Sequence, residues 1–204
     1  MYLSQLRLDT ASAAARRDLA DPYQLHRTLA RVYAPDDATP PPRFLWRLER
    51  GGPVGERGVV LVQAAVPGRW DVLAARSGYE VQGDKPVDTG QLVQPGRRYR
   101  FRLRANPVVT RQGQRLGLHS QDEQLDWLAR QGSRLGFEVE GADVSGAERI
   151  VMWKPGGSRP NVKDTVLFDG VLVARDAAAL RAALVDGVGH GKAFGLGMLS
   201  LARA

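Results

Sequence analysis

In the stretch RRYRFRLR, residues 97–104, basic and nonpolar side chains alternate without a break from Arg98 onward. Only a β-strand sorts that alternation onto two faces, because successive side chains of a strand point to opposite sides of the sheet. Tyr99, Phe101 and Leu103 face one way and Arg98, Arg100, Arg102 and Arg104 the other. Four like charges on one sheet face repel unless water or an anion screens them. A plain solvated face and a phosphate-binding face both satisfy that requirement.

Around this strand the chain reads as alternating strands and capped helices. YLSQLRLD (2–9) puts Tyr2, Ser4, Leu6 and Leu8 on one face of a strand. DPYQLHRTLARVY (21–33) predicts a helix, with Asp21 as N-cap, Pro22 at the first helical position and Gln24 completing a capping-box pattern. Strands follow at 43–50 and 58–66, then a short helix at 70–78 and a weak strand at 79–87. The second half repeats the order. The strand at 97–107 precedes a helix opened by the Ser120/Glu123 capping box, with Leu125, Leu128 and Leu135 at helical spacing. Strands at 137–140, 148–154 and 161–174 come next, then a helix from Asp176 to Gly187 and a closing strand. The expected class is α+β, with two tandem ferredoxin-like (RRM-like, β-α-β-β-α-β) domains. The first covers 1–90 and the second 97–204, with the split near 88–96. The halves share negligible identity, so the duplication rests on element order alone.

Charge narrows the partner. The net charge is +7 and the isoelectric point about 10.2, the electrostatic footprint of nucleic-acid binding. With no cysteine, disulfides, thiolate zinc sites and a cysteine nucleophile are excluded. His26, His119 and His190 are far apart in sequence, and none has metal-ligand spacing. No apolar run approaches the length of a membrane span, and the N-terminus lacks a secretory pattern. The expectation is a cytoplasmic protein with no membrane partner, no metal and no cofactor.

GVGHGKAFGLG, residues 187–197, carries five glycines. It is not a Walker A loop: only three residues separate Gly187 from Gly191-Lys192 where four are needed, and Ala193 replaces the magnesium-binding hydroxyl. It is not a dinucleotide fingerprint either, because Phe194 falls where the third glycine is needed. Both motifs also need a helix after the loop, and here the helix comes before. Two uses remain: backbone N–H groups of Gly189 and Gly191 approaching a nucleic-acid phosphate with Lys192 beside them, or a tight helix-to-strand turn.

Two other stretches carry chemistry. On the helix at 21–33, Leu25, Leu29 and Val32 form the core side, with Tyr23, His26, Arg27 and Ala30 roughly opposite. A histidine one turn from a phenol and next to a guanidinium suits acid–base work, though exposed histidines commonly have no role. The segment 151–168 reads as a hairpin whose long tip, KPGGSRPNVK, projects Lys154, Arg159 and Lys163. Such a basic ribbon can follow a nucleic-acid backbone, or be an ordinary surface loop.

Taken together, DPYQLHR, FLWRLE, VVLVQ, RFRLRANP and GVGHGKAFGLGMLSL resemble the CasE family, the CRISPR RNA-processing endoribonucleases of type I-E systems. The resemblance runs from residue 2 to about 201, with the motifs in family order. It implies two ferredoxin-like domains and binding of the stem-loop of a CRISPR repeat RNA. It implies metal-independent cutting at the 3′ base of the stem by attack of the ribose 2′-OH, and partnership with the other Cascade subunits. The family's active-site histidine and tyrosine match His26 and Tyr23. Some relatives carry lysine where Arg31 stands; arginine keeps the charge but does not readily give up a proton, so Arg31 is assigned electrostatic work. Arg27, the 98–104 arginines, Lys154, Arg159, Lys163, Gly189, Gly191 and Lys192 are the expected RNA contacts. Whether His26 acts as base or acid stays open at this level. A non-catalytic RNA-binding subunit of the same fold is the alternative, which the presence of both Tyr23 and His26 disfavours.

Overall fold

The computed structural model describes residues 1–34, 36, 38–49, 58–152 and 160–204. It divides into two units, the chain leaving the first at Val87 and entering the second at Asp88. The first unit also gathers Ala193–Gly195 and the described residues of Val151–Asn161.

In the first unit the chain runs β1 (Tyr2–Leu8), α1 (Ala13–Ala20), α2 (Pro22–Tyr33), β2 (Phe44–Glu49), β3 (Gly58–Ala64), the single turn α3 (Asp71–Ala74) and β4 (Tyr79–Pro86). The sheet order is β2-β3-β1-β4, and β1 runs antiparallel to both neighbours. As the alternation of β1 requires, Ser4, Leu6 and Leu8 are buried. Leu25, Leu29 and Val32 of α2 complete that core with Phe44, Trp46 and Val60.

The second unit contains α4 (Thr89–Leu92), β5 (Arg98–Ala105), β6 (Val108–Arg111), β7 (Gln114–Gly117), α5 (Gln121–Arg134), β8 (Phe137–Met152), β9 (Asn161–Ala174), α6 (Ala177–Asp186) and β10 (Leu199–Arg203). Its main sheet has the order β10-β5-β9-β8. Numbered within each unit, both sheets read 4-1-3-2 or its reverse. This is the ferredoxin-like arrangement, in which the first and third strands are central. Tyr99, Phe101 and Leu103 are buried, as their spacing demands. The Ser120/Glu123 capping box of α5 is formed in both directions.

Several elements differ from the sequence reading. The helix α1 was not expected, because AAARRDLA has no apolar stripe. It is held instead by Asp18, fully buried, which accepts a 2.6 Å bond from the Tyr79 hydroxyl. The β6–β7 hairpin was also missed. Its two-residue turn, Gln112-Gly113, takes positive φ at both positions, and its side chains are mostly exposed. The two strands expected at 137–140 and 148–154 are joined as the single β8, since GADVSGA continues the alternation between them. Asp21 caps α2 through the N–H of Tyr23 at 2.9 Å; the reciprocal Gln24 bond is absent among the described residues. On α5 the buried side chains are Gln124, Trp127 and Leu128, so Leu125 and Leu135 flank the core face. Lys154 and Arg159, at the expected hairpin tip, lie outside the described residues.

The arginine face of β5 is screened largely from within. Arg98 pairs with Glu140 at 2.5 Å, Arg102 with Asp169 at 2.7 Å and Arg104 with Glu148 at 2.8 Å. Asp169 sits on β9, which pairs with β5, and Glu140 and Glu148 on β8, the next strand beyond it. Contrary to the reading of a uniformly solvated face, Arg104 is only 8% exposed. Its position in the middle of the sheet makes the pair with Glu148 a partly buried one. Losing either partner strands the other charge, and the Arg104 side chain, 10% exposed, is more buried than that of Glu148 at 27%. Glu148→Gln is expected to destabilise the protein by about 3 kcal/mol, and Arg104→Met by clearly less. Urea unfolding of both variants checks the order.

Candidate active site

Helix α2 positions the site. Asp21 and Pro22 start it, and Arg31 in its last turn complements the negative end of the helix dipole. The buried stripe is Leu25, Thr28, Leu29 and Val32. Tyr23 and His26 are three residues apart and so neighbours on the helix surface. Arg27 and Arg31, four apart, are exposed beside them.

His26 sits at the border of the core rather than squarely opposite it. Its ring stacks on Phe44 of β2, with centroids 5.0 Å apart and planes inclined by 16°. Phe44 stacks in turn on Tyr33 at 5.1 Å, and Tyr33 meets Trp70 edge-on at 6.0 Å. The imidazole is therefore the outer member of an aromatic row. Its Nδ1 is buried with no hydrogen-bond partner, so Nε2 is the nitrogen available to a ligand. Burial lowers the pKa of His26 below its ordinary value of 6.5, which favours the neutral imidazole near pH 7.

In the second unit the glycine segment forms a loop closed by backbone bonds. Val188 N–H donates to Gly197 at 2.8 Å, and Gly197 N–H to Arg104 at 2.7 Å. Its five glycines all take positive φ. Between the closing bonds, the N–H groups of Gly189, His190 and Gly191 have no acceptor among the described residues. Successive free N–H groups in such a turn make a concave anion-binding nest. Lys192 Nζ donates to the Gly189 carbonyl at 3.0 Å. Lys163 lies against Gly191, and the charges of Arg115, Lys192, Lys163 and Arg134 all act on His190. Burial first, then these cations in that order, lower the His190 pKa. Arg115 and Arg134 were not singled out from sequence. They come from the unrecognised hairpin and from the last turn of α5, and only tertiary folding brings them to His190.

Farther along, the segment turns through Lys192–Phe194, and its Ala193–Gly195 stretch belongs to the first unit rather than wholly to the second. A Cβ on Gly195 would lie 2.7 Å from Trp46 Cζ3. The glycine therefore permits close approach of backbone to indole. Among the described residues no helix is long and apolar enough to cross a membrane.

These features define a tandem ferredoxin-like protein with a histidine-bearing helix in one unit and a basic glycine loop in the other. Residues 1–203 match the CRISPR associated protein family, and the chain belongs to it. It is 39% identical to the CRISPR-associated endoribonuclease Cse3 of Thermus thermophilus, over 99% of this chain and 100% of that one. It is 31% identical to the CRISPR system Cascade subunit CasE of Escherichia coli, over 99% of each. The solved structure of Thermus thermophilus Cse3 bound to an RNA representing a pre-cleavage complex superposes with a TM-score of 0.89. That match has 37% identity and covers 99% of this chain and 98% of the other.

The burial of His26 has a consequence for stability. The folded state takes up its proton less readily than the unfolded state, whose pKa is near 6.5. This contribution is therefore complete above pH 6.5 and declines as pH falls through the lower folded value. His190 acts with the same sign. Unfolding free energy measured between about pH 7.5 and 5 should fall less in His26→Gln than in the parent protein.

Proposed function

We propose that this chain is a CRISPR endoribonuclease that binds the stem-loop of repeat RNA and cuts at the 3′ base of the stem. It acts in the cytoplasm, without metal or cofactor, and supplies mature CRISPR RNA to the other Cascade subunits. The observation that carries the reading is His26: an imidazole kept neutral by burial, with one free nitrogen, beside Tyr23, Arg27 and Arg31 on one helix. The kinship with Cse3 and CasE supports it.

In this reading His26 Nε2 removes the proton from the ribose 2′-OH. The 2′-oxygen attacks phosphorus, and the bond to the 5′-oxygen breaks. The products are a 2′,3′-cyclic phosphate and a 5′-OH, the leaving oxygen taking its proton from solvent. Tyr23 orients the 2′-OH. Arg27 and Arg31 stabilise the charge that builds on the phosphoryl oxygens. The glycine nest, Lys163 and Lys192 hold backbone phosphates, together with Arg100 on the face of β5. Lys154 and Arg159 are further expected RNA contacts by the family resemblance, while Arg98, Arg102 and Arg104 already hold carboxylates of their own sheet. A-form RNA offers shape and phosphates more than readable base edges, so such contacts suit a stem.

His26→Ala should lower single-turnover cleavage by roughly 10²–10⁴-fold, while affinity for the stem-loop changes far less because phosphate contacts dominate it. A 2′-deoxy nucleotide immediately 5′ of the cut should abolish cleavage, and chelators should leave it intact. With His26 as base, kcat/KM should rise with pH through an inflection below 6.5; a fall over that range would make it the acid instead.

A further inference from the structure

Beside the last turns of α2 the first unit opens a cavity of about 470 Å³. Arg27 and Arg31 enter it from the helix and Arg69 from the turn before α3, while Ala30 and Ala34 leave its floor low. Asp36 is the single acid among the described lining residues. Its carboxylate is engaged by the N–H groups of Ala38 at 2.9 Å and Thr39 at 2.7 Å. Arg69 is held in place through Nη2, which donates to the carbonyls of Ala34 and of Arg31, the latter at 3.4 Å. Its Nε and Nη1 have no acceptor among the described residues. Three guanidiniums thus converge on a space large enough for one small polar ligand, with one of them already oriented at the helix end.

We propose that this cavity binds the RNA strand beyond the cut, gripping the phosphate on the 3′ side of the first nucleotide after the scissile bond. The proposal rests on the endoribonuclease reading and goes beyond it by assigning Arg69 and a subsite. Arg27 follows His26 in sequence, and Arg31 lies about 7.5 Å from His26 along the helix axis, so the cavity starts next to the reacting phosphate and leads away from it. A space of this size has room for one unpaired nucleotide. In a repeat cut at the base of its stem, the strand beyond the cut is the unpaired one. Holding that strand fixes the leaving 5′-oxygen opposite the attacking 2′-oxygen, which is what in-line displacement needs.

The test compares two stem-loop RNAs under single-turnover conditions. One ends at the first nucleotide beyond the cut, with a free 3′-OH, and the other continues for four. The long RNA should be cut about tenfold faster, the scale expected for a charge-assisted phosphate contact. That ratio should approach one in Arg69→Ala. It should also approach one with unaltered protein when the linkage after the first nucleotide beyond the cut is a neutral methylphosphonate, a substitution that leaves the fold untouched. Equal rates on both RNAs in the parent protein, or a ratio that survives the methylphosphonate, would overturn the proposal. Failure of the parent protein to cut either RNA would instead overturn the endoribonuclease reading on which it rests.

Discussion

The stack of His26 on Phe44 joins the chemistry of this protein to its folding. Phe44 belongs to the core of the first unit and to β2, and the same ring that closes the core covers one face of the imidazole. Burial of Nδ1 without a partner raises the cost of protonation, which lowers the His26 pKa and favours the neutral imidazole while leaving its second nitrogen free. The helix that carries His26 is held by Leu25, Leu29 and Val32 against the same sheet. Any slip of α2 along that sheet would therefore change both the packing and the protonation of the site.

Positive charge is divided by use. On β5 three of the four arginines are matched by carboxylates from β8 and β9 of the same sheet, and Arg104 is drawn into the sheet with Glu148. Those pairs hold the sheet and leave little charge for a ligand. On α2 Arg27 and Arg31 carry no such pairs among the described residues. The loop at 187–197 adds free backbone N–H groups near cations whose charge acts on His190. Net charge is thus a poor guide to where an anion sits: what matters is which cations have already found a carboxylate within the fold.

Much of this was legible in the chain because the signals are local. Alternation announced β1 and β5, the Ser120/Glu123 pair announced α5, and Asp21-Pro22 announced the helix that carries Tyr23 and His26. The spacing of the glycines excluded a nucleotide-cofactor loop. What was not legible depended on partners distant in sequence. Nothing in AAARRDLA shows that Asp18 will be buried under the Tyr79 hydroxyl, 61 residues away. Nothing in RRYRFRLR shows which of its arginines will meet Glu140, Glu148 or Asp169.

The sequence by itself determined the β-α-β-β-α-β order of the main elements in each half, the two ferredoxin-like halves, and the placing of a phenol, an imidazole and two guanidiniums on one helix, since periodicity and capping act between residues a few positions apart. Only the tertiary structure decided the protonation of His26, the assignment of the β5 arginines to internal pairs and the meeting of Arg69 with Arg27 and Arg31. Each of these depends on which groups share a low-dielectric or crowded space, and that is set by how the sheets and helices pack.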